Sequence, residues 1–411
     1  VKHLSVLSLL VFAAAFSLAS TINVPANQPT IQAGINAAKN GDTVLVAPGT
    51  YFENINFMGK SINVKSSGGA KVTIIDGGHF TSVVTFNTGE GLKSLLKGFT
   101  IQHGNASFDG GGILISNASP TITGNVISNN VSCEGGGIRL LSSAALIQGN
   151  TISNNTLSNC TGGDGGGISV GGAAATGGPQ IVGNVIENNT SSGDGGGLIL
   201  NGAVSTTLKN NIIRGNVVTF GQGGGIWIVN YTNVVMVQNL IYNNTAMQGS
   251  GIYFSLPFGE HNLVLVNNTI VGTSSSATGS AVYAAGFYDL VQFYNNLLIG
   301  ASGTSALYCD NSYDQTPPTL TNNDGYSLNG TGIAGACSSQ SGTNGNISAD
   351  PLFVGATFFR LTAASPAIDA GDNFAPNIPP LDLAGKPRIV NGDGDGQVII
   401  DMGAYEYQPP M

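Results

Sequence analysis

Charge is scarce in this chain. Of 411 residues only 13 are Lys or Arg, and charged residues make up 9%, against the roughly 25% of an ordinary soluble domain. A net charge of -9 without any basic cluster excludes nucleic-acid binding, which needs cations to neutralise phosphates. Too few Glu, Lys and Arg remain for coiled coils or helical bundles. Four cysteines lack the Cys-x-x-Cys spacing of a zinc site, and His79, His103 and His261 are scattered without ligand spacing. No nucleophile elbow, phosphate loop or zinc signature occurs, and nothing calls for an organic cofactor.

One apolar run stands at the start. Lys2 and His3 precede apolar residues 4–18, and Ser17-Leu18-Ala19 supplies small residues for cleavage, so residues 1–19 read as a signal peptide. The run is shorter than the ~20 residues a membrane span needs, and the mature chain is expected to be secreted or held at the cell surface without a span. In an exported chain four cysteines suggest two disulfides. Cys133 and Cys160 fall at equivalent places in consecutive repeats and are paired, which leaves Cys309 with Cys337.

Glycine is abundant, at 61 residues, and it recurs in register. A Gly-Gly-Gly-aliphatic motif begins at Gly110, Gly135, Gly165, Gly195 and Gly223, and degenerate copies begin at Gly249 and Gly279. The spacing is 25 to 30 residues. Between these copies runs a second motif, aliphatic-x-x-Asn-x-aliphatic-x-x-Asn. Its copies include Ile122/Asn125/Ile127/Asn130, Ile147/Asn150/Ile152/Asn155, Ile181/Asn184/Ile186/Asn189 and Leu208/Asn211/Ile213/Asn216. Asn239, Asn268 and Asn296 continue the first Asn position, and Phe99 occupies it upstream. Short aliphatic runs punctuated by Gly and Asn at this period define a β-solenoid, with aliphatic residues stacked inside and Asn in ladders at the corners. No window in this region keeps a helical period.

These repeats resemble the right-handed parallel β-helix of the pectate-lyase-like superfamily, and their alternation is also similar to that of polymorphic outer-membrane proteins and related autotransporters. The lead-in fits: residues 31–38 read as a short amphipathic helix before the strand-forming residues 41–51, like the N-terminal cap of exported β-helix proteins. The tail carries Asp350-Pro351-Leu352-Phe353, residues 365–371, Asp382 to Arg388 and residues 401–407, and resembles the choice-of-anchor Q region of exported bacterial β-helix proteins. The expected fold is therefore all-β, a single-stranded right-handed parallel β-helix with a short N-terminal capping helix and a small C-terminal β domain. Its parts are a signal peptide (1–19), a cap with the first strands (20–60), the β-helix (61–345) and an anchor-type domain (346–411).

Four constellations are candidates for chemistry. Asp109, Glu134, Asp164 and Asp194 each precede a Gly-Gly-Gly cluster, with Gln222 and Gln248 next in line. Stacked coils would set these carboxylates in a column that either binds calcium, the hard cation that oxygen ligands favour, or splays into solvent. One residue past each inward aliphatic lie Leu114, Arg139, Ser169, Ile199, Trp227, Tyr253, Tyr283 and Tyr308. By strand alternation they face outward, so Trp227, Tyr253, Tyr283 and Tyr308 would make either an exposed platform for sugar rings or an aromatic cover on the sheet. Glu187 and Arg214 occupy equivalent outward positions, as an ion pair or as a catalytic pair, with Arg139 and Lys209 as further basic candidates. Finally, residues 391–397 alternate oxygen-bearing side chains with Gly, and Asp393, Asp395 and Asp401 approximate a calcium loop in which Met402 stands where an EF-hand has Glu.

The residues leave two functions open. One is an exported protein that binds polysaccharide or another surface glycan along its outer face. The other, implied by the superfamily resemblance, is a calcium-dependent polysaccharide lyase or glycoside hydrolase. No catalytic motif of that superfamily maps onto this chain residue by residue.

Overall fold

The computed structural model describes residues 19–410 except 158–161, 173, 175–176, 203–204, 231, 257–261, 274–278, 288–289, 313–315 and 356. The chain winds into a β-solenoid of about 10 turns. Three long parallel sheets run along it, which we label A, B and C in the order each coil visits them. Sheet A has 12 strands, from Thr21–Val24 to Thr319–Thr321, and sheets B and C have 11 each. Sheet B runs from Gly49–Phe52 to Asp324–Ser327, and sheet C from Ile55–Asn56 to Thr331–Gly335. A fourth sheet, D, has four two-residue strands between B and C, from Val131–Ser132 to Val217–Val218.

The aliphatic periodicity becomes three stacked columns. On sheet A, Ile122, Ile147, Ile181, Leu208, Met236, Leu265, Phe293 and Leu320 lie in register and are fully buried. Ile127, Ile152, Ile186, Ile213, Ile241 and Ile270 do the same on sheet B, and Ile113, Ile138, Ile168, Leu198, Ile226 and Ile252 on sheet C. One apolar core thus runs the length of the solenoid. The Gly clusters sit where coils approach too closely for a side chain. A Cβ on Gly112 would lie 2.6 Å from the carbonyl oxygen of Gly137, and one on Gly137 2.6 Å from that of Gly167.

The corners carry the asparagines. Between sheets A and B a ladder climbs through Asn125, Asn150, Asn184, Asn211, Asn239, Asn268, Asn296, Asn323 and Asn346, all buried. In each rung Oδ1 accepts both the backbone N–H and the side-chain amide of the Asn one coil before, as Asn239 does from Asn211 at 3.0 and 2.9 Å. Phe99 closes the ladder, giving its N–H to Asn125 at 3.0 Å. A shorter ladder of Asn130, Asn155, Asn189, Asn216 and Asn244 follows sheet B. The residue before each of these turns the corner in the left-handed region, where Asn is tolerated: φ is 57° at Asn129, 55° at Asn154 and 56° at Asn188.

Helix α1 (Ile31–Ala37) plugs the N-terminal end of the core with Ile31 and Ile35. Thr30 caps it through Ala33 N–H, and the Glu53 carboxylate accepts from Ile31 and Gln32 at 2.8 and 2.9 Å, where the helix dipole favours an anion. At the other end Cys309 and Cys337 form the expected disulfide. The second expected bridge involves Cys160, which lies outside the described residues.

The C-terminal segment contributes two small antiparallel pairs, Phe353–Gly355 with Phe358–Leu361 and Ile389–Val390 with Ile399–Ile400. It lies back along the solenoid as a strap. Leu297 packs with Leu361, Ala367 and Met402, and Leu240 and Tyr242 pack with Phe359. The corner asparagines Asn267, Asn295 and Asn322 donate to Asp401, Asp372 and Ala370 carbonyls at 2.9 to 3.0 Å.

Candidate functional site

The acidic column forms, and its members take different partners. Asp109 and Glu134 are bridged on neighbouring coils, and Arg139 reaches both, at 3.3 and 2.6 Å. Asp164 Oδ1 accepts the N–H of Asp194 at 2.9 Å, and Asp194 Oδ1 accepts that of Gln222 at 2.5 Å. Burial pushes Asp164 up to about 6, with the Asp194 and Glu134 charges adding to the rise, and burial also raises Asp194. Their mutual repulsion is thus relieved by a guanidinium and by backbone donors. Among the described residues no group of three or more His, Cys, Asp or Glu is arranged to hold a metal ion. Beside the column a groove of about 520 Å³ is lined by Asp194, Phe220, Gln222, Met247 and Gln248.

The aromatic column has the expected register, Leu114–Arg139–Ser169–Ile199–Trp227–Tyr253–Tyr283–Tyr308, on the outer side of sheet C. Of the two arrangements the sequence left open, the tyrosines form the aromatic cover and not the exposed platform. Tyr253 and Tyr283 stack with ring centroids 5.3 Å apart, Tyr283 and Tyr308 lie 5.4 Å apart, and the two central rings are only 9% and 7% exposed. At the inter-coil spacing each ring covers the face of the next, so the stack presents edges rather than faces. The Tyr283 hydroxyl donates to Asp310 at 2.8 Å. Burial and this acceptor raise the Tyr283 pKa. Trp227 remains partly open at one end of the stack, with a buried ring N–H that has no partner among the described residues.

The basic candidates separate onto three faces. Lys209 is on sheet A, Arg139 on sheet C, and Arg214 on sheet B. Only Arg214 meets Glu187, donating Nε to Oε2 at 2.8 Å, while its Nη1 donates to the Tyr242 hydroxyl at 2.9 Å. Those two hydrogen bonds raise the Arg214 pKa above its ordinary value and favour its charged form. Glu187, Arg214 and Tyr242 are in register on consecutive coils. Their floor is walled by Thr357 and Phe358 of the strap, enclosing a groove of about 480 Å³. Phe358 is 69% exposed, so its ring is available to a ligand. The wall was invisible in the sequence, which does not tell on which face the tail docks.

The tail loop takes the form of successive Asx turns. Asn391 accepts from Gly394, Asp393 from Asp395 and Asp395 from Gln397, all exposed. Asp401 is elsewhere: fully buried, it accepts the N–H groups of Asp369 at 2.8 Å and Tyr407 at 2.5 Å. Burial pushes it up to about 7. It belongs to a buried ionic group with Asp382, Arg388 and Glu406, in which Arg388 and Glu406 approach to 3.6 Å. Burial lowers Arg388 and raises Glu406.

A further cluster escapes the spacing argument. His103 Nδ1 lies 2.8 Å from Asp76 Oδ2, and the His79 and His103 rings stack at 4.9 Å. A separation of 24 residues has no meaning for local ligand spacing, but it is one coil of this solenoid.

The architecture is that of a right-handed parallel β-helix with a docked tail. The family model for the right-handed β-helix region matches residues 111–324, and the chain belongs to that family. Among solved structures, the chain is similar to the pectate lyase Pel9A with a TM-score of 0.58 and 17% identity, covering 96% of this chain and 98% of that one. A pectin methylesterase variant in complex with a hexasaccharide gives a TM-score of 0.29 at 11% identity, over 77% of this chain and 82% of that one, too low to bear on function. No curated protein matches. Among the described residues no helix is long and apolar enough to cross a membrane.

Proposed function

We propose that this is an exported, polysaccharide-binding β-helix whose glycan groove crosses sheet B between Glu187, Arg214 and Tyr242 on the floor and Phe358 on the wall. The observation that carries this reading is the pairing, in one groove of about 480 Å³, of an exposed aromatic ring with a fixed array of polar groups. A pyranose offers an apolar face to such a ring and hydroxyls to such an array. Arg214 is already neutralised by Glu187, and the chain carries a net charge of -9, which disfavours polyanions. Neutral chains are therefore the favoured class. Calcium, held by the exposed carboxylates Asp393 and Asp395 or by the acidic column, is proposed as an accessory ion.

The second reading is a calcium-dependent lyase or hydrolase, suggested by the pectate lyase that shares this fold. The separation of Arg139, Lys209 and Arg214 onto three sheets argues against an assembled base. One experiment decides. The chain from residue 20 is run in affinity gels of neutral and acidic polysaccharides, with calcium or chelator, and polymer length is followed by chromatography. Retardation by a neutral polymer without shortening is expected, and Arg214→Ala or Phe358→Ala should weaken it about fivefold to thirtyfold, the effect of one or two good contacts at ~1 kcal/mol each. Calcium-dependent shortening would establish the enzyme instead.

A further inference from the structure

We propose, resting on the groove reading above, that the strap is the detachable half of that groove, so that docking of residues 350–410 on the coils and binding of a glycan form one coupled equilibrium. Floor and wall come from different parts of the chain. Glu187, Arg214 and Tyr242 belong to the coils, Thr357 and Phe358 to the strap. Along the strap strand Phe358–Leu361 successive side chains alternate between exposed and buried. Phe358 stands out as the wall, while Phe359 turns inward with its ring centroid 4.9 Å from that of Tyr242. The Tyr242 hydroxyl in turn accepts from Arg214 at 2.9 Å, and Arg214 donates to Glu187 at 2.8 Å. Undocking therefore removes the wall and also the packing that fixes the floor.

The strap is held as a unit of its own. Its two strand pairs bond to each other's partners only and extend none of the long sheets of the solenoid. All four cysteines lie at or before residue 337, so no disulfide within the chain ties the strap down. Single hydrogen bonds do the holding. The Asn295 side chain makes two with the Asp372 backbone, at 2.8 and 3.0 Å. Gly403 N–H donates to the Asn295 carbonyl at 2.7 Å, and Ala404 N–H to Thr269 Oγ1 at 2.9 Å. The apolar contacts are three small clusters apart from the continuous core. Arg388 Nε and Nη1 and Glu406 Oε1 are buried with no hydrogen-bond partner among the described residues, a cost that the docked state bears. Segments with few buried apolar contacts open well before the whole fold does.

A neutral polysaccharide that touches both halves favours the docked form, because the undocked form offers it the floor alone. By linkage, the factor by which undocking weakens the glycan equals the factor by which the glycan suppresses undocking. For two halves of one groove that factor is expected at about 10-fold to 100-fold. A groove walled by the coils themselves would show none. Arg388 does not line the groove, so it acts on binding only through the strap, as a positioning residue.

The test takes the chain from residue 20 and three neutral polymers, amylose, galactomannan and xyloglucan. Affinity gels measure binding, and hydrogen exchange at Gly403 and Ala404, whose N–H groups bond across to the coils, measures undocking. A polymer that retards the chain should, at saturation, slow exchange at both amides by about 10-fold to 100-fold. Arg388→Met should weaken retardation by the same factor while thermal melts show the coils folded. Adding Glu406→Leu to that variant should restore both slow exchange and retardation. Retardation of the parent chain with exchange at the two amides unchanged would overturn the coupling and leave the groove reading standing. So would retardation undiminished in an Arg388→Met chain whose strap exchanges freely. Absence of retardation by all three polymers would remove the groove reading, and the coupling with it.

Discussion

The asparagine ladder and the ionic group under the strap both bury polar side chains, yet they do so in opposite ways. In the ladder every amide is neutral, and each rung meets the donors and acceptors of the next with the same geometry for nine residues. Under the strap, Arg388 and Glu406 are completely buried at 3.6 Å, with Arg388 Nε and Nη1 and Glu406 Oε1 lacking hydrogen-bond partners among the described residues. Repetition supplies the complementarity in the first case, because each group meets a copy of itself one step on. A single docking event must find it in the second, and leaves donors and acceptors over. The lesson is that stacking makes buried polarity cheap for neutral groups that both donate and accept, and gives no such help to ions.

The contrast can be broken most severely in the ladder. Asn239→Ala removes the acceptor of the Asn211 N–H, one of the two acceptors of the Asn211 side-chain amide, the donor to the Leu208 carbonyl and one of the two donors to the Asn268 side-chain oxygen. At about 1–3 kcal/mol for each buried unpaired group, a loss on the order of 5 kcal/mol is expected. Denaturant unfolding monitored on the whole chain measures it, and a loss under about 1 kcal/mol would show that the rungs relax independently.

Arg388→Met should be smaller and local. Removing one partner of a buried pair costs about 3–5 kcal/mol, and here the cost falls on docking of residues 350–410. Limited proteolysis should cleave the strap while the coils stay resistant. Adding Glu406→Leu should restore much of the protection, since an apolar pair replaces an ionic one with partners missing.

The smallest effect is on pH, and it separates the two regions most cleanly. Asp401 has an ordinary value of 3.8 when free and about 7 when docked, because burial disfavours its charge. The docked state therefore holds more protons across that window, and docking weakens as pH rises from about 4 to about 7. Glu406 is shifted in the same direction. The ladder contains nothing that titrates. Hydrogen exchange at pH 5 and pH 8, corrected for intrinsic rates, should show the strap opening more readily at pH 8 with the ladder unchanged. In Asp401→Asn that difference should shrink.

Much of this was legible in the amino-acid order. The inward aliphatic columns, both ladders, Phe99 at the head of one and the full register of the Leu114–Tyr308 column follow from phase within the repeat, whereas α1 follows from its own amphipathic pattern and the Cys309–Cys337 bridge from elimination. Phase gives the position of a residue around the coil, and nothing more. It does not say that the tyrosines would shield one another, since that depends on ring rotamers at the inter-coil distance. Nor does it say that Arg139 would bend toward Asp109 and Glu134. The His79–His103 contact was hidden for a different reason: with Asp76 in register with Gln102, Gly77 stands opposite His103, so His79 is out of phase with the repeat. The wall of the groove was hidden because the tail has no repeat to be in phase with.

The strap has a consequence for how this molecule can change length. Rungs of the ladder are interchangeable, so whole coils can be gained or lost in evolution without remaking any contact. The strap is not interchangeable. Its bonds to Thr269 and to the corner residues Asn267, Asn295 and Asn322 address four specific places on three successive coils. It works as a ruler laid against the last third of the solenoid, and duplication there would put its marks out of step. Lineages of this protein should therefore differ in coil number ahead of residue 187, where the strap's contacts begin, and agree in it beyond.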